Sequence, residues 1–222
     1  MSMVQDLYRI AAAVIPCLLS VLLAACESHT SAQTRTSVPQ VQQVSQTQVI
    51  PSPLLPDSIM VQTANNNLDV VWYQSRLFVA WRSAPNHFAS AQAVMHVASA
   101  SAAMREWRHE GSFNLGTDVR EPQLLSTPDG LILYVAKLGI NPRAFEPQGS
   151  VFMRYQSPME WSEPTEVFPE NFIPWRIEPT AGGGFEVLGY TGGENVYQVD
   201  GDPIRIMWLI SNDGTDWQPH PD

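Results

Sequence analysis

Beyond residue 57 the apolar residues of this chain come in short runs, each bounded by residues that favour turns. Three turn-like segments stand 54 residues apart: Tyr73-Gln74-Ser75-Arg76, Thr127-Pro128-Asp129-Gly130 and Ala181-Gly182-Gly183-Gly184. Each leads into a run rich in β-branched and aromatic residues, namely Leu77–Arg82, Leu131–Ala136 and Phe185–Tyr190. A short extended segment precedes each turn, at Asp69–Trp72, Pro122–Ser126 and Arg176–Thr180. A third run follows a longer loop, at Ala93–Ala98, Ser150–Tyr155 and Ile204–Ile210, and each unit closes on a tryptophan, Trp107, Trp161 and Trp217. No helical apolar stripe of useful length interrupts the series. Four short strands per unit at a fixed period form the pattern of a propeller blade. The predicted fold class is all-β: a partial β-propeller of about three four-stranded antiparallel blades, over residues 57–222.

The start of the chain has a different pattern. Residues 10–25 are almost wholly apolar, follow Arg9 and end in Leu23-Ala24-Ala25, as a secretory signal does. The run is shorter than the roughly 20 apolar residues that span a bilayer, and Pro16 interrupts it. Leu23-Ala24-Ala25-Cys26 resembles the lipobox of bacterial lipoproteins. The resemblance implies cleavage of the signal peptide 1–25 and lipidation of Cys26, whose acyl chains anchor the protein to a membrane. Glu27 in place of aspartate resembles an outer-membrane address in a Gram-negative envelope. From residue 26 to 56 the chain is mostly Ser, Thr, Gln, Val and Pro, too poor in apolar surface to offset its ordering entropy, and reads as a flexible linker.

Composition narrows the choice of function. A formal charge of −10 and a pI near 4.8 argue against nucleic-acid binding, which needs clustered cations. The two cysteines are Cys17, inside the leader, and Cys26, so no disulfide forms within the mature chain. Stability then rests on the core, and the whole chain carries seven Trp, eight Phe and six Tyr, all but Tyr8 beyond the leader. The five histidines show no metal-ligand spacing and Gly182-Gly183-Gly184 reads as a β turn, so neither a metal nor another cofactor is expected.

The last turn, Ser211-Asn212-Asp213-Gly214-Thr215-Asp216-Trp217, resembles the Asp-box of sialidases and related propellers, with one residue fewer between Asp and Gly. An Asp side chain bonds amides of its own turn, Gly allows positive φ and Trp packs across the blade. Ser211, Asp213, Gly214 and Trp217 therefore read as a structural staple. Segments around Phe78–Phe88, Asp118–Pro122 and Pro174–Glu178 resemble the same superfamily, over about residues 65–217. The resemblance implies recognition of a glycan or sugar acid, glycoside hydrolase ancestry, and an exo-sialidase-like hydrolysis if the chain is active. No catalytic residue is selected. The alternative is a non-catalytic envelope scaffold or protein-interaction module.

An antiparallel meander sends successive loops to opposite ends of a blade. The crossings between blades and the loops after each second strand share the end that carries the active site in sialidase-like propellers. The candidate ligand-binding residues there are Arg82, His87, Asp118, Arg120, Glu121, Glu146, Trp175, Arg176 and Glu178. Arginine forks suit a carboxylate because they bind it at two points in a plane. Arg120 and Arg176 both lie at crossings into the innermost strands of neighbouring blades, which aims them at one pit opposite Asp213; the alternative is ion pairing with Glu121 and Glu178. Three units do not close a ring, which needs at least four blades. Open blade edges make self-association a third expected contact, beside the membrane and a carbohydrate.

Overall fold

The structure is a computed structural model that describes residues 46–196 and 198–221. The leader, Cys26 and most of the predicted linker lie outside the described residues, as does Tyr197. Among the described residues no helix is long and apolar enough to cross a membrane.

Residues Thr47–Asp222 form a unit of their own, made of three antiparallel sheets in chain order. The first blade is β1 (Ala64–Tyr73), β2 (Arg76–Ala84), β3 (Val94–Ser101) and β4 (Trp107–Phe113). The second is β5 (Val119–Thr127), β6 (Gly130–Lys137), β7 (Ser150–Ser157), β8 (Glu160–Trp161) and β9 (Thr165–Val167). The third is β10 (Ile173–Pro179), β11 (Phe185–Gly192), β12 (Ile204–Ser211) and β13 (Gln218–Pro219). Within each sheet the strands lie in sequence order, as the repeat predicts. The first two blades open on two-residue turns closed by the pairs Tyr73↔Arg76 and Thr127↔Gly130. Gln74 and Ser75 take positive φ, the conformation such turns need. The third turn, 180–184, is longer and places its positive φ on Gly183 and Gly184.

The outer strand of the second blade is split. β8 pairs with the end of β7 and β9 with its beginning, and Pro164, which has no N–H to donate, lies in the gap. Ser162 Oγ fills part of the gap by accepting the Arg154 N–H at 2.9 Å.

Two cores lie between blades. One joins Phe78, Ala80, Met95 and Val97 of the first to Leu124, Leu133, Val135 and Met153 of the second. The other joins Leu125, Ile132, Tyr134 and Val167 of the second to Ile177, Phe185, Val187, Leu209 and Trp217 of the third. Side chains also tie the innermost strands together. Asp69 Oδ2 accepts the Leu124 N–H at 2.7 Å, and Gln123 Oε1 accepts the Ile177 N–H at 3.3 Å. Burial outweighs that bond at Asp69 and pushes its carboxyl above the ordinary range.

A third core has no counterpart in the repeat. Val49, Ile50, Leu55, Ile59 and Val61 lie on the remaining face of the first blade, against Leu77, Val79, Trp81, Ala98 and Trp107. The linker boundary read from composition at residue 56 falls inside this strap. Five aliphatic side chains spread through a polar, proline-rich stretch are too dilute to show periodicity, yet they suffice to cover one sheet face. Ser58 Oγ and His109 Nδ1 lie 3.0 Å apart, and Gln62 donates its backbone N–H to Ser83 Oγ at 2.7 Å. Beneath the strap His96 is buried, and desolvation lowers its pKa to about 4.

Candidate functional site

Each innermost strand carries a β-bulge at the same level: between Asn66 and Leu68, between Arg120 and Gln123, and between Pro174 and Arg176. The facing residues Trp81, Val135 and Gly189 are spaced as the repeat is. A side chain at Gly189 would place its Cβ 2.4 Å from the Ile173 carbonyl oxygen, so only glycine admits the third bulge. Bulges re-aim side chains beside functional sites. Here Asn67 and Glu121 both take positive φ, and Asn67 Nδ2 donates to Glu121 Oε1 at 2.7 Å across the blade boundary.

Next to this contact is a cavity of about 400 Å³, within the range of small-molecule sites. It draws on the loop after β2 (His87, Phe88), the crossing into β5 (Asp118, Arg120, Glu121), the loop after β6 (Arg143, Phe145) and Tyr190 of β11. These are the crossings and second loops that the meander assigns to one end.

Asp118 is the centre of the polar wall. It is fully buried; Oδ1 accepts from Arg82 Nε at 2.9 Å and Nη2 at 2.7 Å, and Oδ2 accepts from Arg120 Nε at 2.6 Å. Arg82, also fully buried, donates as well to the carbonyl oxygens of Asn86 and Phe88, at 3.3 and 3.0 Å. Burial lowers its pKa from the ordinary arginine value, and the Asp118 carboxylate works against that shift. Arg120 donates through Nη2 to the His87 carbonyl oxygen at 2.5 Å, which leaves Nη1 without a partner among the described residues. Two guanidinium groups share the Asp118 carboxylate, and the Glu121 carboxyl stands beside them in the wall. Burial pushes the Glu121 carboxyl above its usual range, while neighbouring Arg120 pulls it down.

The other predicted residues lie elsewhere. Glu146 turns to its own loop, with Oε2 3.4 Å from the Asn141 N–H. Trp175 is exposed and meets Tyr190 edge-on at 5.2 Å, at the rim. Arg176 does not share a pit with Arg120. The register sets Arg120 opposite Ala136 and Arg176 opposite Leu188, so Arg176 is the counterpart of Asp69 and Gln123. It lies past its bulge, on the outer side of the third blade, with Nε 2.8 Å from Glu178 Oε1 and Nη1 3.4 Å from Asp69 Oδ1. Ion pairing describes both arginines, but Arg120 pairs with Asp118 and not with Glu121. Asn66 and Asn67 were missed by sequence reasoning, although the Asn65-Asn66-Asn67 run ahead of an apolar strand was a readable signal. Phe145 and Tyr190 carried none.

The turn after β12 is at the other end. Asp213 Oδ1 accepts the N–H groups of Thr215 and Asp216 at 2.7 and 2.9 Å, which hold its carboxyl well below the usual range. Trp217 Nε1 donates to the Gly214 carbonyl oxygen at 3.0 Å, and the Tyr134 hydroxyl donates to the same atom. Among the described residues no group of three acidic, histidine or cysteine side chains is placed to hold a metal.

No family model matches this sequence, and no curated protein does either. Solved structures do resemble it. An α-L-arabinanase of Penicillium chrysogenum complexed with arabinobiose superimposes with a TM-score of 0.51 at 13% identity, covering 69% of this chain and 49% of that one. The GH93 α-L-arabinofuranosidase of Fusarium graminearum with arabinobiose gives 0.47 at 12% identity, covering 65% and 45%. A native arabinanase of Bacillus subtilis gives 0.44 at 13%, covering 68% and 53%. The chain spans about half the length of the arabinanase named first. What it shares with that protein is the fold, and the chain is an all-β, partial β-propeller.

Proposed function

We propose that the pit binds a saccharide with an anionic or strongly polar substituent, and that it does so without hydrolysing it. The observation that carries this reading is Arg120: Asp118 and the His87 carbonyl fix its guanidinium, and the residue lines a cavity of sugar size. Phe88, Phe145 and Tyr190 line the cavity, and aromatic side chains of this kind suit the C–H face of a sugar. The arabinobiose bound in the Penicillium arabinanase supports a carbohydrate ligand on this fold. The resemblance of Ser211–Trp217 to an Asp-box supports a sialidase-like relative.

Glycoside hydrolysis usually needs a pair of carboxyl groups, about 5–9.5 Å apart, flanking the bond. Of the two carboxylates in the wall, Asp118 is committed to two arginines, and Glu121 remains. This supports binding over turnover. The lipobox-like Leu23–Cys26 segment supports a lipoprotein held at the outer membrane, where such a pit meets envelope or environmental glycans.

The test is calorimetric titration of the folded chain with N-acetylneuraminate, a uronic acid, arabinobiose and a neutral hexose. The expected result is saturable binding of an acidic sugar that Arg120→Ala weakens at least tenfold, because a charged hydrogen bond contributes about 1.5–3 kcal/mol. No binding of any saccharide by a demonstrably folded chain overturns the reading.

A further inference from the structure

The chain makes the same inter-blade interface twice, and the structure shows both halves of a third. In each interface the innermost strand of the following blade seats on the second and third strands of the preceding one. Val70, Leu124 and Ile177 are register equivalents, opposite Val79, Leu133 and Val187. Leu124 and Ile177 are each 6% exposed, seated on a preceding blade, whereas Val70 is 48% exposed, with Leu68 and Trp72 open beside it.

The receiving side shows the same contrast. Ala80, Tyr134 and Leu188 are equivalents opposite Asp69, Gln123 and Arg176, and their exposures are 0%, 0% and 50%. Met95, Ser150 and Ile206 lie opposite Arg82, Ala136 and Tyr190; the first two are fully buried, and Ile206 is 64% exposed. Ile204 and Trp208 flank it and extend the apolar surface on β11 and β12, bordered by Arg176, Glu178 and Glu186. The strap covers β2, β3 and β4 on the open side of the first blade and leaves β1 bare.

We propose that the outer face of the third blade seats the innermost strand of the first blade of a second copy of this chain, head to tail. The occupant follows from the repeat: β1 presents aliphatic and aromatic side chains at the positions that β5 and β10 use for the same contact. Such an interface is heterologous, with a different surface on each partner. It does not depend on the pit binding a sugar.

The experiment uses two differently tagged full-length chains, co-expressed and co-purified in mild detergent. The wild-type pair co-purifies. Val70→Glu with Val70→Glu, and Ile206→Glu with Ile206→Glu, lose at least tenfold of the recovered partner, because each pair lacks one half of the interface. Val70→Glu mixed with Ile206→Glu recovers it, since one intact interface remains. Both sites are exposed, and circular dichroism melts verify folding. If either variant fails to fold, Leu68→Lys and Ile204→Lys replace it. Co-purification that survives in the Val70→Glu pair points to a two-fold contact between third blades, or to association elsewhere, and overturns the proposal. So does a folded wild-type chain whose tags never co-purify, or a mixed pair of folded variants that fails to recover.

Discussion

Asp118 and Asp213 sit at opposite ends of the blades, and each is the hub of a polar cluster. Asp118 is buried and accepts from two arginines of different blades, one of which lines the pit. Asp213 is exposed and bonds only the residues of its own turn. Removing Asp118 strands the buried Arg82 guanidinium, whereas removing Asp213 leaves amides that water satisfies. The comparison teaches that how far a cluster reaches in sequence, and what it leaves uncompensated when broken, separates a site from a staple better than residue type does.

The largest effect that can break this comparison is that of Asp118→Asn. It should cost about 3–5 kcal/mol, the range for breaking a buried ion pair by removing one partner. Urea unfolding monitored by tryptophan fluorescence measures it. A loss below 1 kcal/mol would mean that Arg82 finds another partner and that the cluster is no hub. Asp213→Ala should cost about 1 kcal/mol through lost turn bonds, with saccharide affinity unchanged. The depressed Asp213 carboxyl stabilises the fold above the unfolded value near pH 4 and loses that contribution as pH falls toward its folded value. The Asp213→Ala deficit should accordingly shrink in acid.

Glu121→Gln should give the smallest shift, and of opposite sign. A carboxyl whose folded pKa is raised stabilises the fold below its unfolded value near 4.5, and that contribution is lost as pH rises through the folded value. The glutamine keeps an acceptor for Asn67 and carries no charge. The variant should therefore melt slightly above the wild type at pH 7 and level with it near pH 4. A variant that melts lower at pH 7 would show that the ionised carboxylate has favourable partners in the pit.

The fold was legible because its signal is a period. Turns and strands recur every 54 residues, and their register pairs agree to within a residue. The site was legible in part. Asp118, Arg120, Glu121 and His87 come together because crossings and second loops share one end. Arg176 goes elsewhere because it follows its bulge whereas Arg120 precedes its own, and Gly189, opposite the third bulge, was its one sign in the sequence. Arg82 reads as a loop-end cation, but it is fully buried, since its partner Asp118 lies 36 residues on in another blade. The strap was hidden because its apolar residues follow no period.

The strap also sets how this unit responds to tension. A pull arriving from the amino-terminal side meets residues 47–61 before it meets any strand. Five aliphatic side chains and the bonds of Ser58 and Gln62 hold that segment, whereas β1 is laddered to β2 through nine residue pairs. Detaching it releases about 50 Å of chain, at 3.3–3.6 Å per residue, before β1 bears a load. The first stretch of the domain is thus a compliant one, and none of the residues that line the cavity belongs to it.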